Sequence, residues 1–140
     1  MRLATQDPYP IAIEWGDENT AIGIHIPEIP DAVTAGDTFE EAYRAAVEVA
    51  HLRLEELAEE GAEIPLPQPI NKHRSNPDFA GYGWGMIEID ITPYLGATEK
   101  VNVTLPGAVV RKIDEHVKLH GIKSRSAFLA DAALKAISAH

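Results

Sequence analysis

Residues 100–137 read KVNVTLPGAVVRKIDEHVKLHGIKSRSAFLADAALKAI, and this stretch decides how the chain is built. From Lys100 to Pro106 polar and apolar residues alternate with period two. Val101, Val103 and Leu105 therefore share one face of a strand and Lys100, Asn102 and Thr104 the other. Pro106, with no N–H to lose, suits the first turn of a helix that carries Val109, Ile113 and Val117 to His120, where Gly121 stops it. Ser124 is placed to cap a second helix bearing Phe128, Leu129, Ala132, Ala133, Ala136 and Ile137. One strand and two short helices cannot hide this much apolar surface, and the strand has no sequence neighbour with which to complete its ladder. A second copy supplies both needs. Two strands pair antiparallel across a two-fold axis, and four helices interlock around Val101, Val103, Leu105, Ile113, Val117, Phe128 and Leu129. A homodimer is the minimum assembly, with a tetramer or larger left open. The paired strands form a ribbon narrow enough for the major groove of DNA.

The same segment resembles the ribbon-helix-helix superfamily along its whole length. The resemblance rests on the strand alternation, Leu105-Pro106 at the helix start, Ile113-Asp114 inside the first helix, Gly121 at the turn, and Ser124-Arg125-Ser126 before the second helix. It implies that the outward strand residues read base edges, here Lys100, Asn102 and Thr104. Chemistry agrees, because lysine donates to guanine, asparagine pairs bidentately with adenine, and the threonine methyl touches thymine. Ser124, Arg125 and Ser126 lie where free backbone amides and the helix dipole grip a phosphate.

Working outward, charge separates this tail from the body. The chain carries a net −10, yet residues 1–98 hold five Lys/Arg against 18 Asp/Glu, whereas residues 99–140 hold seven against four. A basic tail on an acidic body fits a nucleic-acid contact at one end and a basic protein partner, or plain solubility, at the other. No apolar run is long enough for a membrane span, and the opening Met1-Arg2-Leu3-Ala4-Thr5-Gln6-Asp7 turns polar at once, so no membrane role and a cytoplasmic location are expected. The chain has no cysteine, which removes disulfides and thiolate zinc sites, and no cofactor is implied.

Tyr9–Trp15 and Ala21–Ile26 alternate as two strands of a hairpin about Gly16-Asp17-Glu18-Asn19, and Ala32–Ala35 suggests a short third strand ending at Gly36. Thr38 and Glu41 have capping-box spacing. The helix they open presents Tyr43, Val47, Ala50, Leu54 and Leu57 on one face and Glu40, Glu41, Glu48, Glu55, Glu56, Glu59 and Glu60 elsewhere, and Gly61 ends it. Pro65, Pro67, Pro69 and Pro77 keep residues 64–78 in a loop. Trp84–Ile91 alternates again and is expected to join the first sheet. The organisation expected is α+β: residues 1–92 as a small antiparallel sheet with one long helix, 93–98 as linker, and 99–140 as the dimeric module.

The upstream segments Tyr9-Pro10-Ile11-Ala12-Ile13-Glu14, residues 26–42, Glu59-Glu60-Gly61 and Ile64-Pro65-Leu66-Pro67, with the order of elements, resemble the HicB antitoxin family. The family's usual Leu-Pro-Gly-Cys turn reads Ile29-Pro30-Asp31-Ala32 here, and its Gly-Tyr before the second strand reads Thr20-Ala21. The resemblance implies a partial RNase H-like N-terminal domain, a HicA-type toxin partner (a small basic mRNA-cleaving ribonuclease) and repression of the protein's own operon through operator DNA. Asp17, Glu18, Glu28 and Asp31, near strand ends, are the candidate toxin contacts. A nuclease needs several carboxylates around two metals. The first strand offers only Glu14, turned outward, so no catalytic residue and no enzymatic activity are expected. His116 and His120 have i, i+4 spacing but lack a third zinc ligand, and no metal site is assigned. Phe79, Tyr82 and Trp84 are expected to pack under the Pro-rich loop. The competing reading is a stand-alone regulator whose N-terminal domain senses a ligand or drives oligomerisation.

Overall fold

A computed structural model describes residues 7–138; the polar opening Met1–Gln6 and the last two residues lie outside them. The chain forms two compact units, divided between Gly96 and Ala97.

The N-terminal unit is built on a four-stranded sheet of order β3-β2-β1-β4. Strand β1 spans Tyr9–Glu14, β2 Ile22–His25, β3 Val33–Gly36 and β4 Gly83–Ile87, and every neighbouring pair is antiparallel. The register places Ile13 opposite Ile24 and Gly83, and Ile11 opposite Gly85, so the alternating isoleucines form one apolar face. Helix α1, Phe39–Glu59, covers it. Thr38 caps α1 by accepting from the Glu41 N–H at 3.1 Å, while Glu41 reaches back to the N–H of Asp37 at 3.2 Å, one residue before the cap itself. Gly61, at φ +70°, closes the far end, with the Ala62 N–H returning to the Leu57 carbonyl at 2.9 Å.

The face of α1 that enters the core includes Ala50 and Leu54 as expected, but it is centred on smaller residues than the rest of the expected set. Ala42, Ala46, Ala50 and Leu54, an i, i+4 row, are wholly buried, whereas Tyr43, Val47 and Leu57 are only partly so. Three alanines in line let the helix backbone lie close to the sheet, and the bulkier side chains fill the flanks. The seven glutamates remain exposed.

Strand β1 is buried on both faces from Tyr9 to Ile13. On the face away from α1, Ala12 stands between His25 and Trp84, and Phe79 meets the His25 ring edge-on at 5.0 Å and that of Trp84 at 5.6 Å. The segment expected as a plain loop contains one helical turn, α2 (Asn71–Arg74), and a 3-10 turn at Pro77–Phe79. It is pinned by Tyr9, whose hydroxyl donates to the Pro65 carbonyl, and by stacking of His73 on Trp84. Beyond β4, Ile89 and Ile91 stay buried, and Tyr94, in a 3-10 turn at Thr92–Tyr94, bonds His51 of α1 through its hydroxyl. Tyr94 therefore packs with the N-terminal unit although it falls within the expected linker.

The C-terminal unit contains α3 (Gly107–Leu119) and α4 (Arg125–Ser138). Pro106 immediately precedes α3, and its carbonyl accepts from Val109 and Val110. Gly121, at φ +64°, occupies the left-handed position after α3, and the Ile122 N–H returns to the Val117 carbonyl at 3.0 Å. Residues 100–105 carry no secondary structure in the single chain. Ladder hydrogen bonds define a strand, and among the described residues none pairs with this segment.

Candidate interfaces for nucleic acid and for a partner protein

Residues 99–104 are all exposed, so Lys100, Asn102 and Thr104 are accessible. Val101 and Val103 are 71% and 64% exposed, and Leu119 and Ile137 are 80% and 69%. Of the residues expected to form a dimer core, Ile113 is buried, while Leu105, Val117, Phe128 and Leu129 are half-covered. A water-facing apolar set of this size around one buried isoleucine marks an unfinished core.

At the start of α4 the three residues expected to hold phosphate have separate tasks. The Ser124 Oγ accepts from the Ala127 N–H at 3.0 Å, and the Ser124 carbonyl accepts from Phe128. Arg125 donates from Nε and Nη2 to the two carboxylate oxygens of Asp114, at 3.0 and 2.9 Å. Those donated bonds hold the Asp114 carboxyl below the usual carboxylate range. Ser126 is exposed. The N–H groups of Arg125 and Ser126 precede the first intrahelical bond, leaving the positive end of the helix with backbone donors directed outward.

The four acids singled out in the N-terminal unit are not brought together. In an antiparallel meander, successive turns lie at opposite ends of the sheet. Asp17 and Glu18 in the β1–β2 turn are thus separated from Glu28 and Asp31 in the β2–β3 turn. Asp17 holds its own turn, accepting from the Asn19 N–H at 2.8 Å and the Thr20 hydroxyl at 3.2 Å. Glu28 is engaged beneath the Pro-rich segment: it accepts from the Gln68 N–H and pairs with His73, its side chain only 8% exposed. Asp31 is exposed at φ +60°, with its carbonyl accepting from Arg53. Glu18 alone of the four makes no hydrogen bond or ion pair among the described residues.

At the Asp17 end lies a feature the acids do not reveal. Trp15, one residue beyond β1, is 53% exposed. Its ring meets Phe39 at 5.4 Å, and Phe39 meets Tyr43 at 5.9 Å. Phe39, Glu40, Tyr43 and Arg44 line a cavity of about 380 Å³. The traces in sequence are Trp15 continuing the alternation past the strand and two aromatics four apart at a helix start.

Elsewhere, Phe79 is buried with Tyr82 and Trp84 against it, as expected. Glu14 accepts from the Tyr82 hydroxyl at 3.1 Å, an interaction that raises the tyrosine pKa. The His116 ring lies against those of His120 and Phe128. Among the described residues no three His, Cys, Asp or Glu side chains cluster closely enough to hold a metal ion, and no helix is long and apolar enough to cross a membrane.

The chain matches the family model described as HicB-like antitoxin of bacterial toxin-antitoxin systems over residues 9–133. It is 32% identical over 126 residues to an uncharacterised 14.9 kDa protein of the rep-hol intergenic region of Haemophilus phage HP1, covering 89% of this chain and 93% of that one. The Burkholderia pseudomallei antitoxin HicB crystal structure superposes with a TM-score of 0.70 at 30% identity, over 93% of this chain and 98% of that chain. A chain of a solved HicA3 and HicB3 toxin-antitoxin complex matches 60% of this chain over 99% of its own length, with a TM-score of 0.51 and 29% identity.

Proposed function

The chain belongs to the HicB-like antitoxin family, and from that premise we propose that it neutralises a HicA-type, mRNA-cleaving toxin through its N-terminal unit and represses its own operon through a C-terminal ribbon-helix-helix dimer. It acts in the cytoplasm by binding, without catalysis and without a cofactor.

The observation that carries the reading is the unfinished C-terminal core. Val101, Val103, Leu119 and Ile137 face water in the single chain, and residues 100–105 have no ladder partner among the described residues. A second copy pairs the two 100–105 segments antiparallel and closes the helices over them. Each protomer then directs Lys100, Asn102 and Thr104 at base edges in the major groove. The backbone amides at the start of α4, with Ser126, hold a phosphate on either side and set the register. Arg125 shares its charge with Asp114, so its phosphate contact is weaker than a free arginine's.

For the toxin, support comes from the HicA3 and HicB3 complex among the similar structures and from the strongly acidic body, whose carboxylates occupy the field that RNA phosphates otherwise would. The test is expression of a candidate HicA-type toxin, sought as a small basic protein from a neighbouring gene, with and without the chain. Relief of growth arrest together with co-purification is expected. Failure of both overturns the antitoxin assignment and favours a stand-alone regulator.

A further inference from the structure

The antiparallel sheet brings the exit of β1, the entry of β2, the exit of β3, the start of β4 and the first turn of α1 to one end of the N-terminal unit. That end carries Trp15, Phe39 and Tyr43. The Trp15 indole is held in place without being covered. A Cβ on Gly83 would sit 2.6 Å from its Nε1, so β4 begins on a residue with no side chain and the ring lies across it. Phe39 supports the indole on another side, and Tyr43 extends the row one helical turn further. Half of Trp15 nevertheless remains in water, next to the cavity bounded by Phe39, Glu40, Tyr43 and Arg44. Trp84 and Phe79, in contrast, pack against one another.

Exposed carboxylates are concentrated at this end of the unit: Asp17 and Glu18 in the β1–β2 turn, and Asp37, Glu40 and Glu41 at the start of α1, with Glu40 lining the cavity itself. Against these five, Arg44 is the basic residue at the cavity, where it stands one helical turn from Glu40. An acidic rim around an apolar partner surface is costly to desolvate, whereas a cationic partner is steered and paired by it. Aromatic faces also attract cations, most strongly when water is excluded and most often arginine. The row is pre-packed, so little side-chain freedom is lost when it is covered.

We propose that the groove of Trp15, Phe39 and Tyr43 receives an arginine or lysine side chain of a basic partner protein, and that this partner is the HicA-type toxin. The incoming cation lies over the aromatic faces with its charge toward Glu40, on the side away from Arg44. Trp15 is the anchor of this interface, and the other acids steer and orient the encounter. The inference rests on the antitoxin reading and locates the contact that reading leaves open.

Titration calorimetry tests it with the full-length chain and a candidate HicA-type toxin from a neighbouring gene, inactivated in its own catalytic residue so that it can be produced. Trp15→Ala is expected to weaken binding by about tenfold or more, as truncating a buried aromatic anchor does. Glu40→Lys, at an exposed position that leaves the fold intact, is expected to weaken it by a similar factor. Glu59→Lys makes the same charge change at the opposite end of α1 and is expected to have a several-fold smaller effect. Equal losses from Glu40→Lys and Glu59→Lys, or wild-type affinity in Trp15→Ala, overturn the inference and leave the antitoxin assignment standing. Absence of binding by the unmodified chain overturns both.

Discussion

Arg125, in the first turn of α4, grips both carboxylate oxygens of Asp114 on α3 in a two-pronged ion pair. The planar guanidinium suits this fork geometry, and the pair fastens the two helices of the C-terminal hairpin across the Gly121 turn. In the proposed DNA-bound dimer it also places a cation that faces phosphate beside an acid that opposes it. Asp114→Asn is expected to strengthen binding to every duplex sequence and to steepen the dependence of log K on log salt by up to about one unit. Arg125→Ala is expected to weaken all sequences alike. Binding isotherms at several salt concentrations decide the matter, and a change in sequence preference from either substitution contradicts the assigned roles.

Asn102 is exposed and sits between two valines that face the opposite way if the segment pairs as a strand. Its amide can accept and donate on one adenine edge, so Asn102→Ala is expected to relax preference at a single operator position by about 1–3 kcal/mol. Competition binding with single-base operator variants reads this directly. A uniform loss across all positions assigns Asn102 to the backbone instead.

Val103, 64% exposed in the single chain, becomes central once two segments pair. Val103→Glu puts like charges near the two-fold axis and is expected to yield monomers by light scattering, with operator binding abolished. A persistent dimer in this variant places the dimer contact elsewhere.

The alanine row of α1 makes a stability prediction. Ala46 is wholly buried between helix and sheet, so Ala46→Leu forces the two apart and is expected to cost about 1–3 kcal/mol. Urea unfolding measures it. Ala58→Leu, at an exposed position of the same helix, is expected to change little.

His25 gives the N-terminal unit a pH dependence. Burial beside Phe79 first, and then the neighbouring His73, lower its pKa below the ordinary 6.5. Between the lowered value and 6.5 the unfolded chain binds more protons than the folded one, so this contribution to stability is complete above about 6.5 and is lost as pH falls below it. Thermal melts across this range are expected to show a shallower slope in His25→Gln.

Alternation made the strands legible: the isoleucines at 11, 13, 22, 24 and 26 needed no structure, and Thr38, Gly61 and Gly121 marked helix ends through local geometry alone. What was not legible depends on contacts distant in sequence. Glu28 looks like a free surface acid until His73, 45 residues later, closes over it. Ala42 and Ala46 join Ala50 in the buried row because their smallness suits close packing, a property that a count of bulky apolar residues overlooks. Tyr94 extends the first unit because His51 waits on α1. In the C-terminal tail the pattern said more than a single chain can display, since the proposed partner of residues 100–105 is another copy.

Purified chain added to an RNA-cleavage assay of a candidate HicA-type toxin from a neighbouring gene tests the central claim most directly. The account predicts that cleavage stops as the two proteins approach equal concentration, and that Val103→Glu, with its N-terminal unit intact, still stops it. Cleavage that continues undiminished in excess chain contradicts it.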